Sequence, residues 1–252
     1  MADPQSEFTV SLAQSASDLR AAQALRYEVF VGEMGADGAL VDHQSGLEKD
    51  QFDAFCDHLL ITETATGRVI GVYRLMRGDQ AQKAGRFYSE AEYDLGALIS
   101  SGRRLLELGR SCLHPDYRGG TALFYLWSGL SAYVETHQIE VLFGVASFAG
   151  TDLATLAGPL SVLRQDYLAP QDLRCRSRCY QRMDLLPPEK VDRRQAMIDC
   201  PALIKAYLRL GGRVGDGAYI DRDFNTTDVC MILDAARLTD RKKRLYSSGK
   251  TE

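Results

Sequence analysis

Two charged residues lie in an otherwise apolar segment, residues 105–113, whose composition is typical of a buried strand. Glu107 is a candidate general base for a nucleophile that must lose a proton. The alternative role is an ion pair with Arg110 or Arg74. Both roles can hold together, because a carboxylate held by arginines stays ionised but is a weaker base.

A glycine, Gly109, interrupts the same segment, and a glycine inside a strand often marks a bulge. Backbone N–H groups freed between Gly109 and Ser111 would stabilise an oxyanion without any side chain. None of the histidines has a serine or cysteine nucleophile at a recognisable spacing, which disfavours a covalent enzyme intermediate. These histidines are His43, His58, His114 and His137.

A second candidate site is the turn formed by Arg118, Gly119, Gly120 and Thr121, which precedes a predicted helix over residues 121–137. Glycines let backbone N–H groups converge there, and the N-terminus of the helix favours an anion, so the turn is a candidate phosphate site. Glycines that only make a tight strand-to-helix turn are the alternative.

The chain has 252 residues and a net charge of −4, with 45% hydrophobic and 25% charged residues, which is typical of a globular protein and unfavourable for nucleic-acid binding. The charge is uneven: residues 1–100 hold 8 basic and 16 acidic side chains, and the remainder hold 22 and 18. Without a signal-peptide pattern or a spanning segment, we expect a cytoplasmic protein. We expect free cysteines and no metal site, because Cys175 and Cys179 are four apart with no histidine nearby.

Apolar periodicity predicts strands and helices that alternate along much of the chain. The predicted strands cover residues 8–13, 58–64, 68–76, 105–113, 140–148, 174–182 and 229–233, and the predicted helices cover residues 17–30, 88–98, 121–137, 151–167 and 201–210. The strands at 105–113 and 140–148 are expected to be parallel, because a predicted helix connects them.

This order of elements, with the bulged strand and the Arg-Gly-Gly turn, resembles the GNAT superfamily of acyltransferases. The resemblance implies a mixed α/β fold with a central twisted mixed sheet of about seven strands and helices on both faces. It also implies that the turn binds the phosphate of a thioester donor. Because the turn is compressed relative to the superfamily pattern, we expect acyl carrier protein rather than acetyl-coenzyme A to present the donor.

A series of charged positions resembles the acyl-homoserine-lactone synthases, which are GNAT-fold enzymes that use acyl carrier protein thioesters. The positions match in order and spacing, although this chain has Gly35 and Ala36 where those synthases usually carry a tryptophan. The matching residues are Arg26, Glu28, Glu48, Asp50, Asp53, Arg74, Glu107 and Arg110.

Across its whole length the chain is more similar to the L-ornithine Nα-acyltransferases, on residues 87–94, 114–120 and 211–228. That resemblance implies transfer of a 3-hydroxyacyl group from acyl carrier protein to the α-amino group of L-ornithine, the first step of ornithine-lipid synthesis. We expect Glu107, Arg110 and Arg74 to be the catalytic residues. No tightly bound cofactor is expected besides the phosphopantetheine arm of the donor, and direct transfer in a ternary complex is favoured.

Substrate binding is assigned to Arg26, Ser111 and the acidic cluster of Glu48, Asp50 and Asp53. The carboxylates could bind the cationic side chain of ornithine while an arginine binds its carboxylate. A network in which Arg26 and Arg74 stabilise the fold is equally compatible with the sequence.

Basic residues in the second half provide candidate contacts with larger partners. Acyl carrier proteins are acidic, and Arg174, Arg176, Arg178 and Arg182 alternate along a predicted strand that could bind one. A charged strand edge is the alternative. We assign residues 1–240 to a single domain and residues 241–252 to a basic tail that could contact anionic lipid.

Three functions stay open at this point. The leading one is an ornithine acyltransferase, the second is a homoserine-lactone synthase that uses S-adenosylmethionine, and the third is a non-catalytic module that binds acyl carrier protein. The sequence leaves the acceptor open among ornithine, lysine, glutamine and glycine. It also leaves open the acyl length, the true general base and the oligomeric state.

Overall fold

A computed structural model describes residues 6–38 and 41–235, which form two compact units. The first unit combines the described residues up to Gly85 with Leu108–Gln138, and the second combines Arg86–Glu107 with the described residues from Ile139 onward. The assignment of residues 1–240 to one domain stays a prediction. The basic tail at 241–252 lies outside the described residues.

The first unit is built on antiparallel strands with helices on both faces. Its elements are β1 (Phe8–Leu12), α1 (Ala16–Arg26), a π-helix (Tyr27–Glu33), β2 (Val41–Asp42), β3 (Leu47–Glu48), a 3-10 turn (Asp53–Phe55), β4 (Asp57–Glu63), β5 (Val69–Arg77), α2 (Gly78–Ala84), the later part of β7 (Leu105–Leu113), a 3-10 turn (Pro115–Tyr117) and α4 (Ala122–Thr136). The strand order is β1-β4-β5-β7.

Successive side chains along a strand point to opposite faces of the sheet, which explains why this unit has a helical layer on each face. Leu60 on β4 and Val72 on β5 are paired in register and pack against Leu25 of α1. The neighbouring Leu59 points to the opposite face, where it lies against Gly129 of α4. The predicted hairpin is confirmed, with a left-handed glycine, Gly67, in its turn (φ 72°).

The second unit is a mixed sheet with short helices. Its elements are a 3-10 turn (Tyr88–Ala91), β6 (Tyr93–Asp94), α3 (Gly96–Ser100), the first residues of β7, β8 (Val141–Ala149), α5 (Ala157–Asp166), β9 (Arg176–Ser177), a 3-10 turn (Pro188–Lys190), α6 (Arg193–Asp199), α7 (Ala202–Leu210), β10 (Arg213–Val214), β11 (Tyr219–Asp221) and β12 (Thr226–Asp234). β7 and β8 are parallel, as predicted, and β12 runs antiparallel to β8.

The mixed α/β fold expected from the sequence is confirmed, with corrections to individual elements. The first predicted helix changes to a π-helix after Arg26, and the helix expected over 151–167 begins only at Ala157. The segment at 88–98 divides into a 3-10 turn, a two-residue strand and a short helix. In the part of the chain that is described, no helix is both long and apolar enough to cross a membrane.

Candidate functional site

A buried ion-pair network lies in the first unit, and Arg26 contacts two of its carboxylates. The guanidinium of Arg26 lies 2.5 Å from Glu48 Oε2, and two of its nitrogens each lie 2.9 Å from an oxygen of Asp53. It also donates to the backbone oxygen of Glu48 at 2.7 Å. Arg26 and Glu48 are fully buried, so the pair has no solvent screening.

Two further arginines complete this network. Arg74 donates to both oxygens of Asp50 at 2.7 Å and lies 3.0 Å from Asp53. Arg110 lies 2.9 Å from Glu48 and 3.5 Å from Asp50. Three carboxylates therefore meet three guanidiniums, and the set is electrically balanced, which is the condition under which buried charges are tolerated.

These contacts determine the direction in which the pKa values of Asp53 and Arg74 are shifted. Burial raises the pKa of Asp53, but the hydrogen bond from Arg26 and the charges of Arg26 and Arg74 outweigh it and hold that pKa well below its usual range. Burial and the charge of Arg110 lower the pKa of Arg74. The charge of Asp50 and its hydrogen bond raise that pKa by more, so the pKa of Arg74 lies above its usual value. Asp53 and Arg74 therefore both stay charged at neutral pH.

The local backbone explains how residues distant in sequence meet. Arg26 is the last residue of α1, and the chain then widens into the π-helix, a feature frequent at functional sites. The expected irregularity in β7 is present, but the left-handed conformation falls on Arg110 (φ 52°) rather than on Gly109. A non-glycine residue in this region is strained, and such strain clusters at active sites.

The ion pairs of Arg26 and Arg74 with the acidic cluster are those of the alternative network that the sequence left open, and its contribution to fold stability stays a prediction. Substrate binding by Arg26, Glu48, Asp50, Asp53 and Ser111 stays a prediction, as do the catalytic roles of Arg74 and Arg110.

Glu107 belongs to the second unit, where the backbone fixes its carboxylate. The N–H of Tyr88 donates to Oε2 at 2.8 Å, and the N–H of Ser89 donates to Oε1 at 2.6 Å. The side chain is 3% exposed. Phe87 packs edge-on against Phe143, the residue in register with Glu107 on β8. The carboxylate is therefore held in one orientation, and its role as general base stays a prediction.

The turn that precedes α4 has the backbone of an anion site. Gly119 adopts φ 77°, and Thr121 is the N-cap residue of α4. The N–H of Phe124 already donates to the backbone oxygen of Thr121 at 2.9 Å, so only the N–H groups of Ala122 and Leu123 begin the helix without an acceptor inside it. Arg118 forms a double ion pair at 2.6 Å with Glu33 and donates to the backbone oxygen of Leu113. Donor-phosphate binding by Arg118, Gly119, Gly120 and Thr121 stays a prediction.

The strand predicted over residues 174–182 is wrong, because only Arg176–Ser177 pair as a strand and the chain turns directly afterwards. The four arginines consequently contact separate partners. Arg174 donates to the backbone oxygen of Ala169, Arg176 pairs with Asp216, Arg178 donates to the backbone oxygen of Glu90, and Arg182 pairs with Asp184. Arg176 and Arg182 remain 61% and 69% exposed, and carrier-protein docking stays a prediction.

The sequence analysis did not identify a second carboxylate cluster, which lies in the second unit. Glu92, Asp221 and Asp228 each place a carboxylate oxygen within 4.8 Å of the other two. Glu92 lies more than 120 positions before Asp221 and Asp228, so the spacing of the residues in the sequence does not indicate the cluster. The available signal was that residues 87–94 and 221–228 both lie in stretches that resemble the ornithine acyltransferases.

The chain is similar in sequence to known acyltransferases. The GNAT acetyltransferase domain model matches residues 25–128. An L-ornithine Nα-acyltransferase of Rhodobacter capsulatus is 52% identical over 98% of this chain and 97% of its own length. The protein of the same name from Brucella abortus is 44% identical over 95% of this chain and 88% of its own length.

A solved coenzyme-A-dependent acyl-homoserine-lactone synthase, bound to S-adenosylmethionine and isopentyl-coenzyme A, shares the fold. Its TM-score is 0.56 at 12% identity, and the match covers 95% of this chain and 87% of that one. The high identity to the curated relatives, over nearly their whole length, shows the family. The chain belongs to the L-ornithine Nα-acyltransferase family of GNAT-fold proteins and is an N-acyltransferase.

Proposed function

We propose that this protein transfers a 3-hydroxyacyl group from acyl carrier protein to the α-amino group of L-ornithine and so makes lyso-ornithine lipid. The observation that carries the proposal is the 52% identity, over 98% of the chain, to a relative named for ornithine Nα-acylation. The buried, oriented carboxylate of Glu107 supplies a proton acceptor for this reaction.

The proposed step is a direct aminolysis. The α-amino nitrogen loses a proton to Glu107, directly or through water, and forms a bond to the thioester carbonyl carbon. The resulting oxyanion is stabilised by backbone N–H groups in the strained stretch between Gly109 and Ser111. The carbon–sulfur bond then breaks, the thiolate takes up a proton, and the products are an amide and the free thiol of the carrier arm. Holding both substrates together supplies much of the rate.

The donor is proposed to bind through its phosphopantetheine phosphate at the turn of Arg118–Thr121, where Gly119 and the N-terminus of α4 present backbone N–H groups. The acidic carrier protein is proposed to bind the exposed guanidiniums of Arg176 and Arg182 together with Arg174 and Arg178. A cytoplasmic location and contact of the basic tail with lipid belong to the same proposal.

The test is an assay of thiol release with 3-hydroxyacyl carrier protein and a panel of ornithine, lysine, glutamine, glycine and S-adenosylmethionine. We expect thiol release with ornithine and a product mass equal to that of the amide. Turnover with S-adenosylmethionine alone would assign the protein to homoserine-lactone synthesis. No turnover with any acceptor would favour a non-catalytic carrier-binding role. Replacing the carrier thioester by the coenzyme A thioester tests the choice of donor.

A further inference from the structure

We propose that a groove between α6 and α7 binds the surface of an anionic lipid bilayer. The groove has a volume of about 470 Å³ and lies within the second unit. Its lining combines apolar side chains with cations, and among the described residues no carboxylate contributes to it. The apolar contribution includes Met197, Ile198 and Leu208, and the cations are Arg194, Lys205 and Arg209. This combination is complementary to an anionic amphiphile.

Helical spacing explains why these side chains share the groove. Arg194, Met197 and Ile198 are three and four positions apart in α6, so they lie on one face of that helix. Lys205 and Arg209 are four positions apart in α7 and share a face in the same way. The Nζ of Lys205 donates to the backbone oxygen of Ile198 at 3.1 Å. This hydrogen bond holds the cationic face of α7 beside the end of α6.

The charge of the groove is not neutralised by neighbouring acids. In the part of the chain that is described, neither Arg194 nor Arg209 forms an ion pair, and both are exposed. The two acids closest in sequence make other contacts: Asp192 accepts the N–H of Gln195, and Asp199 accepts the side-chain amide of Gln195 at 2.8 Å. The groove therefore stays positive in a protein whose net charge is −4, and a bound anion lowers the repulsion between its cations.

The apolar part of the groove reaches solvent. Ile198 is 57% exposed, the largest exposed fraction among the large hydrophobic residues that are described. Met197 lies next to it and is only partly buried. An aliphatic side chain beside arginines suits the interface of a bilayer, because the aliphatic group enters the acyl region while the guanidiniums contact phosphates. The groove thus offers both of the interactions by which proteins bind the surface of an anionic membrane.

A bilayer is favoured over a protein partner because of the product, and this step rests on the proposed function. An acyl amide of ornithine is an amphiphile, so it leaves the enzyme for a membrane. The proposed docking site for acyl carrier protein uses Arg176 and Arg182, which do not line the groove. The groove would therefore keep the enzyme at the membrane that receives its product.

The test is cosedimentation of the full-length protein with vesicles at about 0.1 M salt. We expect binding to vesicles that contain phosphatidylglycerol and none to vesicles of phosphatidylcholine alone. Arg194→Gln and Arg209→Gln should each lower the partition coefficient about fivefold and together about 25-fold, since each cation near an anionic surface contributes about that factor. Ile198→Gln should lower it about fivefold through lost apolar contact. Arg222→Gln, at an exposed position outside the groove, is the matched control and should bind like the wild type.

The outcomes separate the groove from the proposed function, because vesicle binding does not require turnover. If the wild type acylates ornithine but binds both kinds of vesicle equally, only the bilayer inference is wrong. If the double variant binds phosphatidylglycerol vesicles as well as the wild type, another part of the chain contacts lipid and the groove assignment is wrong. A higher KM for acyl carrier protein in that variant, with vesicle binding unchanged, would assign the groove to the carrier protein instead. If no amino acid is acylated, the proposed function fails, while loss of vesicle binding in the double variant still supports the groove.

Discussion

Among single residues, the buried carboxylate of Asp53 leads to the clearest prediction about stability. It contacts both Arg26 and Arg74, and removing one member of a buried pair leaves an uncompensated charge. We expect Asp53→Asn to lower the free energy of unfolding by about 3–5 kcal/mol in urea denaturation. Asp42→Asn, which removes a solvent-exposed pair with Lys49, should change the free energy of unfolding far less.

The same carboxylate predicts a pH dependence. Its pKa is depressed in the folded state, so its contribution is fully present above the unfolded value of about 3.9 and is lost as the pH falls toward the folded value. The difference in stability between wild type and Asp53→Asn should therefore be constant near neutrality and shrink below about pH 4. A difference that grows on acidification would contradict the depressed pKa.

Glu107 makes the corresponding prediction for catalysis. Glu107→Gln keeps the size of the side chain and one oxygen acceptor for the N–H groups of Tyr88 and Ser89, but removes the proton acceptor. We expect kcat to fall about 10²- to 10⁴-fold while KM for the donor changes little. The pH dependence of kcat/KM of Glu107→Gln distinguishes the two roles. If Glu107 is the general base, the variant loses the fall in kcat/KM at acidic pH. If the role of Glu107 is purely structural, that fall remains.

Helix α4 packs closely on the sheet of the first unit at Gly129. A Cβ there would lie 2.5 Å from Val10 Cγ1 and 3.2 Å from Leu59, so the gain in helix propensity is outweighed by overpacking. We expect Gly129→Ala to destabilise the protein by about 1–3 kcal/mol. Gly78→Ala, in α2 with no heavy atom within 4 Å of the added carbon, should be neutral or stabilising by up to about 1 kcal/mol.

The elements also show what the sequence could predict. Apolar periodicity located β7, α4 and α7 within a residue or two, because each buries one face or both against a neighbour. The π-helix after Arg26 uses nearly the same apolar spacing as an α-helix, so periodicity cannot distinguish them. The charge alternation at 174–182 suggested a strand, but the arginines satisfy separate partners around a turn.

The candidate site was predictable in part, because some of its residues stand out in the sequence. Charged residues in apolar segments, such as Arg26 and Glu107, stood out by composition, and the acidic loop that pairs with Arg26 matched a known pattern. The pairing of the six charged residues could not be predicted, because it depends on the fold: four lie on α1, β3, β5 and β7, and Asp50 and Asp53 lie in the loop and the 3-10 turn that follow β3. The carboxylates of Glu92 and Asp228 were missed because only the second unit's topology brings them together.

At the scale of the whole molecule, the exposed guanidiniums of Arg176 and Arg182 predict how the donor protein binds. We expect the double variant Arg176→Glu, Arg182→Glu to raise KM for acyl carrier protein about tenfold or more at low salt, with kcat little changed. The effect should shrink as salt screens the charges. An acyl-pantetheine donor, which lacks the carrier protein, should be used equally well by the wild type and the double variant. The exposed Arg20→Glu in α1 is the control, and an equal rise in KM there would exclude a local docking surface.

The proposed reaction acylates the α-amino nitrogen of ornithine and leaves the terminal nitrogen free. Tandem mass spectrometry of the product formed from ornithine labelled with ¹⁵N at the α-amine only, with 3-hydroxyacyl carrier protein as donor, distinguishes the two nitrogens. We expect fragments that retain ¹⁵N in the amide and an intact terminal amine, because the proposed reaction is attack by the α-amino nitrogen on the thioester. An amide on the terminal nitrogen, or no amide at all, would contradict it.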